Sequence, residues 1–197
     1  MKRRIAFLDF DGTITTRDTL LEIIKYQKGV FRFYLGFLLC SPVLVALKLK
    51  LISNQTAKEV VLRYFFRNES LTEFQQKCDS FAGTELKKLI RPKALIEINR
   101  LRSIGADIVI VSASASNWIR PWSDPLEIYL ITTVLENRNG LLTGRIEGKN
   151  CHGKEKVSRI RSQFDLASYD EIYCYGDSRG DKPMLSLATT AFYKPFR

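Results

Sequence analysis

Two aspartates, Asp9 and Asp11, follow the apolar run Ile5-Ala6-Phe7-Leu8 and precede Gly12-Thr13. Such a run reads as a buried strand, and side chains two apart on a strand share a face, where like charges repel. A third group must make the pair tolerable. Asp177, just after the run Ile172-Tyr173-Cys174-Tyr175 and Gly176, is a further hard oxygen donor. Three carboxylates, with His152 the single histidine, favour Mg²⁺ over metals that prefer nitrogen or sulfur ligands. Gly12 permits a tight turn, and the amides of Gly12 and Thr13 can point at an anion. Ser112, with Ala113 beside it, follows the run Ala106–Val111 and offers a hydroxyl and helix-terminus amides to phosphate oxygens. Lys154 or Lys156 can neutralise the remaining charge. This set suits phosphoryl transfer. Asp9 attacks phosphorus to give an aspartyl phosphate that water then hydrolyses, and Asp11 protonates the leaving alkoxide and later deprotonates the water. The cation, Ser112 and a lysine hold the charge of the transition state.

Placing these residues together requires a sheet. The apolar runs 5–8, 106–111, 129–134 and 172–175 suit strands covered on both faces, and helical stretches near 92–104, 114–120, 154–164 and 181–187 alternate with them. Strand alternating with helix predicts an α/β fold: a Rossmann-like, mostly parallel sheet flanked by helices, with ligands at the carboxyl ends of its strands. Asp9, Ser112 and Asp177 all fall at such ends. Asn139-Gly140 and Thr143-Gly144 predict a small hairpin near 134–148.

The segment 18–88 reads as helices only: 18–28, an apolar region 31–50 broken at Pro42, 54–66 and 71–88. It predicts a small all-helical cap inserted after the first strand, with a core of 1–17 and 89–197. Phe33 to Leu47 carries no charge but is flanked by Arg32, Lys48 and Lys50. It is shorter than the roughly 20 residues a spanning helix needs, so a buried hairpin bent at Pro42 is the first expectation. The alternative is peripheral contact of 31–50 with anionic lipid.

Lys2-Arg3-Arg4 before an apolar run superficially suggests a signal peptide, but Asp9 and Asp11 interrupt the run too soon. Four scattered cysteines form no CxxC pair and suggest free thiols in a reducing cytoplasm. The chain carries a net charge of +10, and residues 19–63 hold seven Lys/Arg against two Glu. Such a balance favours anionic partners. No RNA-binding aromatic motif, zinc finger or long basic tract accompanies it, so no nucleic-acid partner is expected.

Asp9-Phe10-Asp11-Gly12-Thr13, Ser112, the Lys154/Lys156 region and Gly176-Asp177-Ser178-Arg179-Gly180-Asp181 resemble the four ordered motifs of the haloacid dehalogenase-like phosphohydrolase superfamily. The resemblance implies Asp9 as nucleophile, Asp11 as general acid/base, and Mg²⁺ on the Asp9 carboxylate, the Asp11 carbonyl and Asp177. Asp181 and Ser178 would support the metal. The insertion, Thr143-Gly144-Arg145-Ile146 and Cys151–Val157 are similar to the phosphoserine phosphatase-like branch, and the apolar cap with Trp122 is similar to C-type phosphatidylglycerophosphatases. The motif-three lysine is Lys154 by spacing or Lys156 by the Gly-x-Glu-Lys-Val pattern, with the pattern favouring Lys156. Asp18 stands where phosphoserine phosphatases carry a glutamate that meets substrate; it reads equally as a helix N-cap. Arg63 and Arg67 read as solvated, Trp118 and Trp122 as packing, and His152 as a turn residue.

The implied activity is hydrolysis of a small or amphiphilic, lipid-like phosphomonoester. The rivals are transfer of the phosphoryl group to an alcohol by the same residues, and a catalytically silent anion- or lipid-binding protein.

Overall fold

Residues 2–197 are described by a computed structural model. Six strands, β1 (Arg4–Leu8), β2 (Ala106–Ala115), β3 (Tyr129–Arg138), β4 (Leu141–Glu147), β5 (Glu171–Gly176) and β6 (Thr190–Tyr193), form one sheet of order β4-β3-β2-β1-β5-β6. β4 runs antiparallel to β3; the other pairings are parallel. Central β1 alternates between two apolar layers, as a strand covered on both sides must. Ala6 and Leu8 join the layer holding Ile98 and Trp118, and Ile5 and Phe7 the layer holding Ile160 and Met184.

Between β1 and β2 the chain inserts the helices α1 (Thr19–Lys48), α2 (Asn54–Phe66) and α3 (Leu71–Phe81), a wider turn over Ala82–Leu86, and α4 (Lys87–Leu89). Each of the first three starts on a side chain that accepts backbone amides: Asp18 from Leu20 and Leu21, Ser53 from Thr56, Ser70 from Glu73. Four more helices complete the fold: α5 (Pro92–Ser103), α6 (Ser116–Ser123), α7 (Lys154–Gln163) and α8 (Lys182–Leu185). The insertion is tied to the β3–β4 hairpin by backbone bonds, Asn68 N–H to the Leu142 carbonyl at 2.8 Å and Leu142 N–H to the Glu69 carbonyl at 2.9 Å.

Four expectations need correction. The first is the break at Pro42: α1 stays helical there, and its kink falls at Gly29, between the stretches 18–28 and 31–50 that the sequence separates, where φ is 79° and ψ 161°. Only glycine takes such a φ without strain, whereas Pro42 lies on the exposed side, where water can reach the carbonyl it leaves unpaired. The second is burial: Phe33–Leu47 is part of one long helix, not a hairpin, and it buries only the edge holding Phe33, Gly36 and Cys40. The third is the end of β2, which continues past 111 to Ala115. Ser112 pairs with Thr132 and Ala115 with Thr133, so Ala113 and Ser114 bulge out of the ladder and delay the helix expected at 114 until Ser116. The segment expected to be helical over 181–187 is likewise shorter, α8 ending at Leu185.

Candidate active site

In register, Leu8 lies opposite Ile110 on one side and Tyr175 on the other, so β1 and β5 end side by side while β2 runs on past them to Ala115. Asp9 leaves β1 with its amide bonded to the Tyr175 carbonyl at 2.9 Å, and Asp177 leaves β5 one residue after Gly176. Ser178 then caps a short turn, and Asp181 folds back, its Oδ2 accepting from the amides of Asp177 and Ser178 and from Ser178 Oγ. One carboxylate oxygen each from Asp9, Asp177 and Asp181 lies within 4.8 Å of the others.

Lys156, in the first turn of α7, holds this cluster together. Its side chain is 2% exposed, and its Nζ donates to Asp9 Oδ1 at 2.6 Å and to Asp181 Oδ1 at 2.7 Å. Burial opposes the Lys156 cation, but the two carboxylates outweigh it and hold its pKa above the usual lysine value. Burial would likewise raise Asp181, yet Lys156 and the Ser178 donors keep it below the usual range. Asp9 behaves differently. Burial pushes it up to about 7 against the pull of Lys156, with the Asp181 and Asp11 charges adding to the rise. Asp177 is also raised, by burial and then by Asp181, although Arg197 reaches its Oδ2 at 2.5 Å. Lys154, the other lysine of the motif, is exposed on the outside of α7 and touches none of these acids.

Asp11 does not share the face of Asp9, contrary to the strand reading. β1 has ended at Leu8, and the backbone turns through Gly12 at φ 76°. A Cβ at Gly12 would stand 2.6 Å from Asp177 Oδ2, so glycine is what lets the turn lie against that carboxylate. The Asp11 carboxylate is held elsewhere: Oδ1 accepts from the Thr19 amide at 2.7 Å and Thr19 Oγ1 at 2.6 Å, and Oδ2 from Ser114 Oγ at 2.5 Å. Thr19 Oγ1 in turn accepts from the buried Trp118 Nε1 at 2.9 Å. Trp118 is therefore more than packing; its indole orients the hydroxyl that orients Asp11. Thr19→Val removes that acceptor and orphans a buried donor. It is expected to cost about 1–3 kcal/mol of stability in urea unfolding, and an unchanged midpoint would contradict the relay.

The remaining residues sort by position. Ser112 is fully buried, and its Oγ accepts the Ser114 amide at 3.0 Å, so it organises the bulge and caps no helix. Thr13 Oγ1 donates to Asp9 Oδ2 at 3.2 Å. Asp18 both caps α1 and lines the cavity described below; burial and then the Asp11 charge push it up to about 6. His152 lines the same cavity beside Gly180. Arg63 and Arg67 lie away from it, in a separate hollow with Arg138 and Arg145.

Above the cluster lies a cavity of about 390 Å³. Its floor is Asp9, Asp11, Lys156, Asp177 and Asp181, and its far wall is apolar, with Phe37, Leu44 and Leu47 from α1 and Val61 from α2. Lys58 of α2 reaches across to the Ala113 carbonyl at 2.6 Å. Burial lowers its pKa, with Asp11 and Asp18 opposing. Neither Lys58, Thr19 nor Ser114 stood out in the sequence. Their only signal is spatial, the bulge in β2 and the docking of the insertion over the strand ends.

A family model described as haloacid dehalogenase-like hydrolase matches residues 6–186. Protein CicA of Caulobacter vibrioides is 31% identical over 195 residues, covering 98% of this chain and 86% of its own. A Bordetella pertussis protein of unknown function has the same fold, with a TM-score of 0.84 at 22% identity over 97% of this chain and 89% of that one. A substrate-bound phosphoserine phosphatase also shares it, with a TM-score of 0.66 at 17% identity over 98% and 86% of the two chains. The ordered motifs, the sheet with its helical insertion and these similarities agree: the chain belongs to the haloacid dehalogenase-like hydrolase family.

Proposed function

We propose that this hydrolase cleaves phosphomonoesters through an aspartyl phosphate on Asp9, with Mg²⁺ as cofactor. The observation that carries the proposal is the meeting of Asp9, Asp177 and Asp181 on the floor of a cavity, with Lys156 bridging Asp9 and Asp181. The donor set fits a hard divalent cation: three carboxylates offer oxygens within 4.8 Å of one another, and Lys156 neutralises only part of their charge. Asp9 and Asp177 would bind Mg²⁺ with the Asp11 carbonyl, supported by Asp181 and Ser178. Bound there, the ion would shield the approaching phosphate from the acids and neutralise charge as it develops.

The chain's own residues account for the rest. Lys156 ties up Asp9 Oδ1, and Oδ2, held only by Thr13 at 3.2 Å, is the oxygen left to attack phosphorus. The phosphorus–oxygen bond to the alcohol breaks as the bond to Asp9 forms, and Asp11 gives the departing alkoxide its proton. Water then attacks the aspartyl phosphate and Asp11 takes a proton back. Two of the three donors on Asp11 are hydroxyls, from Thr19 and Ser114, which can turn to accept when the acid is protonated. Ala113 and Ser114 line the cavity where the phosphoryl group would sit, with Gly12, Thr13 and Ser112 behind them shaping the turn and the bulge, while Asp18 and Lys58 face the remainder of the substrate. The apolar wall favours a leaving group with hydrocarbon character. Four buried cysteines without a disulfide suit a reducing cytoplasmic setting.

The test is a panel of soluble and amphiphilic phosphomonoesters, assayed with Mg²⁺ and with chelator. Release of phosphate only with Mg²⁺, fastest for esters with apolar leaving groups, is expected. Silence across the panel with Mg²⁺ present would contradict the proposal.

A further inference from the structure

From Phe33 to Leu47 helix α1 carries no charge on any side, a pattern that ordinarily means burial in a protein core or in lipid. Its inner edge packs on α2, where a Cβ at Gly36 would run into the Phe65 ring. Among the described residues none packs over its outer face. Phe31 is 80% exposed, Leu38 68% and Leu51, just past the helix, 74%. Leu35, Val45 and Leu49 continue the same stripe at helical spacing, with Tyr34 and Leu39 beside it. Single exposed apolar residues are ordinary, but a continuous stripe along one helix marks an interaction surface.

Charge selects the occupant. From Ile23 to Lys58 there is no aspartate or glutamate, while Lys25, Lys28, Arg32, Lys48, Lys50 and Lys58 are all basic. Lys25 pairs with Glu22 and Lys28 with Glu69, but Arg32, Lys48 and Lys50, at the two ends of the stripe, have no carboxylate within ion-pair distance among the described residues. A second copy on this face would set like charges side by side, since a two-fold contact meets its own surface. A bilayer with anionic headgroups satisfies both the apolar stripe and the basic ends. Crossing the bilayer is excluded by the inner face, because α2, which carries Lys58, Glu59 and Arg63, would have to enter the hydrocarbon with it.

We infer that the outer face of α1, residues 30–51, docks in the plane of an anionic membrane surface. Phe37, Leu44 and Leu47 of this helix wall the cavity over Asp9. Docking therefore places that cavity about one helix diameter, roughly 10 Å, from the lipid. A phosphate ester carrying an acyl chain could then reach it without leaving the interface.

Vesicle binding does not depend on turnover, so it stands or falls separately from the phosphatase reading. The full chain is mixed with vesicles of phosphatidylcholine alone, or with one quarter phosphatidylglycerol, and sedimented. At least tenfold tighter binding to the anionic vesicles, weakening as salt is raised, is expected. Leu38→Glu and Phe31→Glu should each cut binding tenfold or more while leaving the thermal unfolding curve in place. Lys48→Ala with Lys50→Ala should erase the preference for the anionic vesicles. Absence of binding to either vesicle overturns the inference, as does equal binding to both. So does light scattering that shows a stable dimer broken by Leu38→Glu.

Discussion

Asp9→Asn is expected to lower phosphomonoester turnover by at least about 10⁴-fold, the scale on which loss of a covalent nucleophile is felt, while the fold survives. An amide oxygen is a poor nucleophile, and the neutral side chain removes one of the three acids facing the proposed cation. Structurally the change is mild. Lys156 keeps Asp181 at 2.7 Å, so no buried cation is abandoned, and asparagine fills the same volume between Thr13 and Lys156. Burial already holds Asp9 near pH 7, so relief of its charge costs the folded state little. The check is a steady-state assay beside a thermal melt. Turnover within tenfold of the parent protein, with the melt unchanged, would remove Asp9 from the nucleophile's role.

Lys156→Met should do the opposite, damaging the fold as well as the chemistry. The substitution leaves the buried Asp9 and Asp181 facing each other with no cation between them. Removing one member of a buried ionic cluster costs about 3–5 kcal/mol, because the stranded charges lose their partner. Urea unfolding of the metal-free protein reads this directly. The loss should shrink in the double variant Lys156→Met with Asp9→Asn, which removes one of the stranded carboxylates. A single variant as stable as the parent would show that the acids are neutralised by something other than Lys156.

Much of this architecture was legible in the sequence, for physical reasons. Apolar runs of four to six residues ending in aspartate or serine mark two-sided strands and their ligand-bearing ends, and parallel order follows from the helices between them. That is why Asp9 and Asp177 could be placed at one sheet edge. What escaped depends on contacts between distant segments. Ser114 meets Asp11 only because two residues loop out of β2 between Ser112 and Ala115. Lys58 reaches the strand ends only because the insertion folds over them. The sequence separated 18–28 from 31–50, where Gly29 at positive φ does interrupt α1, but the further break placed at Pro42 is absent, since a proline on the open side of a helix is tolerated. Apolar content alone also could not tell a buried helix from an exposed one, and α1 proved to be mostly exposed.

The central claim is that Asp9 carries the phosphoryl group during turnover. Acid-quenching the enzyme a few milliseconds after mixing with Mg²⁺ and a reactive phosphomonoester, followed by peptide mass mapping, addresses it directly. One phosphoryl group on the peptide containing Asp9, labile to hydroxylamine and missing from Asp9→Asn, is the predicted result. Steady hydrolysis with no phosphorylated peptide at any quench time, or with the group on another residue, would contradict it.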